Sequence, residues 1–170
     1  MLDMCDFFLC RFGNGIVFGF DFGIQHIGVA IGESVAQSCR PLTTLACRRH
    51  TPDWPAITRL ITDWRPLCLI VGLPLNRDGS IQALTRRAQR FGRQLHGRFR
   101  VPVHWQDERW SSLEAKSRQR QTAGACAAGG DKDSLAATII LEDWFAAQLQ
   151  AAAPAAHLTP ERPLVTDRPA

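Results

Sequence analysis

Leu67-Cys68-Leu69-Ile70-Val71 is an unbroken apolar run that stops at Gly72-Leu73-Pro74. A run so short, without polar alternation, fits a strand buried on both faces of a parallel sheet, which helices must then cover on either side. The flanking segments supply the rest. Val17 to Asp21 and Ile27 to Ile31 read as two strands joined through Phe22-Gly23-Ile24-Gln25-His26, a hairpin with a turn glycine. A third strand is expected from Leu42 to Cys47, after Pro41. Thr51 then reads as an N-cap with Pro52 at the first helical position, Ile57, Leu60, Ile61 and Trp64 on one helix face, and Pro66 as the stop.

Ile81, Leu84, Ala88, Phe91 and Leu95 keep helical spacing, and Val101 to Trp105 is the next strand. Ser111 or Ser112 can cap a helix through Arg120, Gly124 to Gly130 reads as a loop, and a last helix starts near Asp131 to Asp133 with Leu135, Ala136, Ile139, Ile140 and Trp144 on a broad apolar face. This order predicts an α/β fold, a mixed five-stranded sheet with an antiparallel hairpin edge and helices on both faces.

With 170 residues, 45% of them hydrophobic, the chain can fill one core and not two. The expected division is an extension over residues 1–14, one domain over 15–150 and a disordered, proline-bearing tail over 151–170. Six cysteines without a C-x-x-C pair disfavour structural zinc and fit reduced thiols. The N-terminus, interrupted by Asp3 and Asp6, does not read as a secretory signal, and no stretch reaches transmembrane length, so a cytoplasmic protein is expected. No Walker or dinucleotide glycine pattern is present. A formal charge of +4 permits an anionic partner. Arg86, Arg87, Arg90, Arg93, Arg98 and Arg100 fall in one segment, and Arg48, Arg49 and His50 form a second cluster. These are solvated helix faces or phosphate contacts, and the preference for arginine favours the latter because guanidinium binds phosphate oxygens bidentately.

The chemistry is concentrated in acids. Asp107-Glu108-Arg109 closes the Val101–Trp105 run, Asp21 ends the first strand and Asp133 opens the last helix. Parallel sheets place their sites at strand carboxyl ends, where these acids stand. Three carboxylates without a histidine or cysteine cluster suit Mg²⁺ or Mn²⁺ rather than zinc, and a divalent cation offsets their repulsion. Each has a structural alternative: an Asx turn for Asp21, an ion pair with Arg109 for Glu108, and for Asp133 a helix start at which Asp131 competes. Asp107 points away from Glu108 in a regular strand and reads as structural.

The strings Phe20-Asp21-Phe22-Gly23 with Ile27-Gly28-Val29-Ala30, Val71-Gly72-Leu73-Pro74 with Asp78-Gly79, Asp107-Glu108-Arg109, and Asp133 with Ala136-Ala137 occur in this order. Together they resemble the YqgF family, Holliday-junction-resolvase-like nucleases associated with maturation of pre-16S ribosomal RNA, on a ribonuclease H-like fold. The resemblance implies a metal-dependent endonuclease acting at the 5′ end of pre-16S ribosomal RNA, with Asp21, Glu108 and Asp133 as catalytic residues and ligands of Mg²⁺ or Mn²⁺. Arg77, Arg86, Arg90, Arg109 and Lys132 are expected to meet nucleic acid. The partners implied are structured RNA, branched DNA or ribosomal precursor particles, with no membrane, for a monomer or homodimer. Gln25-His26 departs from the basic pair that follows the first glycine in the family, which weakens one expected contact. A junction-cleaving DNA resolvase and a non-catalytic assembly factor are the alternatives. An ATP-binding protein of the actin and sugar-kinase type needs a second domain that 170 residues cannot hold.

Overall fold

Alternation along five strands decides which side chains meet which helices. The computed structural model describes residues 14–76, 78–108 and 131–152. The expected Ser111–Arg120 helix, the Gly124–Gly130 loop, Arg77, Arg109, Trp110 and nearly all of both termini lie outside these residues. The strands are β1 (Ile16–Phe22), β2 (His26–Glu33), β3 (Ser38–Ala46), β4 (Cys68–Leu73) and β5 (Val103–Asp107), in the spatial order β3-β2-β1-β4-β5. β1 runs antiparallel to β2 and parallel to β4, β2 runs antiparallel to β3, and β4 runs parallel to β5. Three helices are described: α1 (Trp54–Trp64), α2 (Ala83–Phe99) and α3 (Lys132–Ala152). The mixed five-stranded sheet with a hairpin edge and helices on both faces is as expected.

On one face Phe18, Phe20, Leu69, Val71 and Val103 join Ile57 and Ile61 of α1 and Ala88, Phe91 and Leu95 of α2. Phe18, Phe20 and Phe91 are at most 1% exposed, each worth about 1.5–3 kcal/mol of apolar burial. The rings of Phe20 and Phe91 meet edge to face at 5.7 Å. On the other face Val17, Ala30, Cys68 and Ile70 pack under Ala137, Ile140, Leu141, Trp144 and Phe145 of α3. The period of two therefore puts Gly19 and Asp21 of β1 beneath α3, and Phe20 and Phe22 beneath α1 and α2.

Several boundaries differ from the sequence expectation. α1 is capped by Asp53, whose carboxylate accepts from the Ala56 amide at 3.0 Å, because Thr51 is taken up in a backbone bridge with Arg48. β3 begins before Pro41, a residue without an amide donor; the strand is at the sheet edge, and the register shifts at Val29/Ala30, where Pro41 pairs. β5 starts later than Val101 and extends to Asp107. Ile81 stands outside α2, half exposed, bridging Leu75. In α3 it is Ala137, not Ala136, that is fully buried, since 137, 140, 141 and 144 form the stripe against the sheet.

The first turn of α3 lies unusually close to β2. A Cβ added to Gly28 would overlap the Asp133 carbonyl and lie 2.9 Å from the Ser134 amide nitrogen. The helix start is clasped from the other side by Asp131, which accepts from the Ser134 amide at 3.0 Å and from the Thr44 hydroxyl of β3. Gly28, inside β2, is thus the residue that admits the helix contact. Gly28→Ala should therefore lower the urea midpoint by the equivalent of about 1–3 kcal/mol or more with little change in m. Gly97→Ala, inside α2 where a Cβ meets nothing within 4 Å, should raise stability by about 0.5–1 kcal/mol. Equal effects in the two variants would contradict the close approach.

Candidate active site

Asp21, near the end of β1, pairs across the hairpin with Gly28, and Gly28 lies directly beneath Asp133 in the first turn of α3. This places two of the three predicted acids on one side of the sheet. The third arrives from β5. Leu73 of β4 pairs with Asp107, and the Glu108 amide donates to the Leu73 carbonyl at 3.3 Å. Alternation then turns Asp107 toward the α2 face and Glu108 toward the α3 face, as expected. Glu108 folds back over β4, and a Cβ at Gly72 would overlap its Oε1 and come within 2.6 Å of Ile140 Cδ1. Gly72 belongs to β4, and its bare Cα is the space that the Glu108 carboxyl fills, where the sequence suggested a loop.

The electrostatics record the convergence. Burial, then the Asp133 charge, push the Asp21 carboxyl up to about 6, while the Lys132 ammonium pulls against them. Burial, then the charges of Asp21 and Asp107, push Glu108 up to about 8. Asp133 thus acts on Asp21, and Asp21 in turn on Glu108. Asp131 behaves differently: burial would raise its pKa, but hydrogen bonds from Thr44 and Ser134 outweigh it and hold the carboxyl below the usual range. Asp131 is the N-cap, which leaves Asp133 free to face the strands.

The predicted phosphate contacts separate into two groups. Lys132 is exposed beside the acids. Arg86 and Arg90 are exposed in the first half of α2, on the opposite sheet face. Because α2 connects parallel neighbours, it starts at the carboxyl end of β4, where Gln82 and Thr85 donate to the Pro74 carbonyl, so these arginines share the acids' end of the sheet. Asn76 bonds Ser80 at 2.8 Å within its own turn. Trp105, on the same face, packs on Gly92 of α2. His26 is the neighbour that sequence reasoning undervalued. Its Nδ1 lies 3.9 Å from Asp133 Oδ2, and its side chain is 52% exposed. It shares a face with Gly28 by the same two-residue period that carried the strand assignment.

The donor set is all carboxylate oxygen, which suits a hard divalent cation, and Gly72 leaves the room that Glu108 needs. Among the described residues no three His, Cys, Asp or Glu side chains form a ready-made ion cage. That is compatible with magnesium, which is commonly held by one or two carboxylates together with waters and substrate phosphates.

Residues 15–147 match the family described as "RuvX: Holliday junction resolvase". A protein of Nitrosococcus oceani named "Putative pre-16S rRNA nuclease" is 50% identical over 133 residues, 78% of this chain and 88% of its own length. A Yersinia enterocolitica protein of the same name is 46% identical over 133 residues, 78% of this chain and 95% of its own. The Thermus thermophilus RuvC structure superposes with a TM-score of 0.51 at 18% identity, covering 79% of this chain and 96% of that one. At that identity the likeness establishes the fold, ribonuclease H-like as expected.

Both raised carboxyls bind protons more tightly in the folded chain than in the unfolded one, so their stabilising contribution is present below about pH 4 and is lost as pH rises through about 6 and about 8. With divalent ions chelated, Tm should fall between about pH 5 and about pH 8. Glu108→Gln should flatten that slope and raise Tm at the alkaline end. Identical slopes in the two proteins would remove the charge conflict from the site.

Proposed function

The chain belongs to the RuvX family of Holliday junction resolvases, and we propose that it is a nuclease in which Asp21, Glu108 and Asp133 hold magnesium or manganese against a nucleic-acid phosphodiester. The observation that carries this reading is the convergence of Asp21, Glu108 and Asp133 on one side of the sheet, where burial and then the Asp133 charge raise Asp21 to about 6, and burial and then the charges of Asp21 and Asp107 raise Glu108 to about 8. A fold that needs no cation gains nothing from burying acids beside one another.

When bound, such an ion supplies charge that acidifies a water and offsets the negative charge building on the scissile phosphate. The chain's own part is positioning. Asp21 and Asp133 present oxygens from two rigid elements, a central strand and a helix start. Glu108 carries its proton at neutral pH while no cation is near, and gives it up as the third oxygen donor. Lys132 brings positive charge to the open side of the cluster, where a phosphate enters. His26, beside Asp133, occupies the place of an expected basic contact with a shorter donor.

The substrate we assign is pre-16S ribosomal RNA, supported by the names of relatives 46–50% identical over most of the chain. Cleavage of branched DNA uses the same site, and the family description supports it as the second reading. On an RNA spanning the 5′ end of immature 16S ribosomal RNA, Asp21→Asn and Glu108→Gln should each lower cleavage by about 10³-fold or more. RNA binding should stay within a few-fold, and EDTA should abolish cutting by wild type. Undiminished turnover in either variant removes that residue from the mechanism. If folded wild type cuts neither this RNA, nor a four-way junction, nor single strands, the non-catalytic assembly reading replaces this one.

A further inference from the structure

The acids occupy one face of the sheet; at the same end, on the opposite face, lies a cavity of about 350 Å³, within the range of small-ligand pockets. Phe22, the residue after Asp21, lines it together with Trp54 and Phe91. The Phe22 and Phe91 rings are 5.2 Å apart and tilted by 32°, and the Trp54 and Phe91 rings are 5.8 Å apart and tilted by 33°. Arg98 stacks over Trp54 at 4.3 Å. The rim is cationic: Arg87 and Arg90 from α2, both exposed, and His50 from the loop before α1.

That loop is held in a costly conformation. Arg48 and Thr51 exchange backbone hydrogen bonds of 3.0 and 2.9 Å, and the two residues between them, Arg49 and His50, adopt left-handed φ values of 51° and 62°. Asn-Gly fills such a turn easily, whereas two large side chains do not. Here the strained pair sets His50 at the cavity mouth.

We infer that this cavity takes one unpaired nucleotide of the substrate strand, its base against the half-buried rings of Phe22 and Trp54, which the buried Phe91 backs, and its phosphate on Arg87 and Arg90. The inference rests on the nuclease reading and extends it to substrate choice. A base still stacked in a duplex cannot enter a pocket, whereas an unpaired base presents its faces to aromatic rings. Since Phe22 follows Asp21, a strand crossing the carboxyl edge of β1 touches both, so the preferred substrate carries an unpaired nucleotide beside the cleaved bond.

The test is fluorescence anisotropy in EDTA with a short uridine homopolymer and an RNA duplex of equal length, across a salt series. Arg87→Ala should weaken binding of the single strand about tenfold, lower its salt slope by about 0.7, and affect the duplex far less. Arg93→Ala, the same charge lost from the same helix away from the cavity, should cost under about threefold on both ligands. His50→Gly should raise Tm by relieving the left-handed strain while lowering single-strand affinity, opposite directions that a structural role would not give. Equal losses on both ligands in Arg87→Ala, a loss no larger than in Arg93→Ala, or undiminished single-strand affinity in His50→Gly would overturn the pocket. Wild type that binds neither RNA would overturn the RNA substrate assigned above, and the pocket with it.

Discussion

The contact between the first turn of α3 and β2 is the constraint on which the site depends. It exists because Gly28 has no side chain, so the helix backbone can settle where a Cβ would overlap the Asp133 carbonyl. The clasp of Asp131 with Thr44 and the Ser134 amide fixes the same turn from the edge strand. Between these supports the helix has little freedom to slide, and Asp133 faces Asp21 across the hairpin pair Asp21–Gly28. Downstream, Ala137, Ile140, Leu141 and Trp144 convert the placement into a buried interface. The apolar stripe supplies the binding energy, while the glycine and the cap set the register.

Apolar packing forces charge into proximity that the folded chain would otherwise avoid. Asp21 and Glu108 are both driven toward their protonated forms by burial first and by a neighbouring acid second, Asp133 for Asp21 and Asp21 for Glu108. The contrast with Asp131 is instructive, since that carboxylate is stabilised by hydrogen bonds and acts as a cap. Two kinds of acid thus stand within three residues of one another on one helix start. Asp131 contributes to the fold as a cap, whereas Asp133 lends its charge to the cluster in which Asp21 and Glu108 are raised, a pattern expected where stability is traded for chemistry.

Much of this was legible in sequence because it is local and periodic. A strand buried on both faces, acids at the carboxyl ends of β1 and β5, and the helical spacing of Ala88, Phe91 and Leu95 all follow from one-dimensional pattern. The opposition of Asp107 and Glu108 followed from a period of two. Errors arose where competing local signals needed tertiary context. Thr51-Pro52 resembles a helix start as well as Asp53-Trp54-Pro55 does, until the Arg48 bridge claims Thr51. Pro41 suggests a strand boundary unless one knows that β3 is an edge with a register shift. Gly28 and Gly72 could be seen to matter, but not that a helix backbone and a carboxylate would fill their space. The aromatic cavity was least legible of all, being assembled from β1, the turn before α1, and α2.

A metal centre at this cluster requires that a cation take the place of protons there. Calorimetric titration of Mn²⁺ into the full chain near pH 7, repeated in buffers of different ionisation enthalpy, reads that exchange directly. Binding should release about one proton, chiefly from Glu108, and the release should disappear in Glu108→Gln. Absence of Mn²⁺ binding, or binding with no proton released, would contradict the proposal that Asp21, Glu108 and Asp133 form a metal centre.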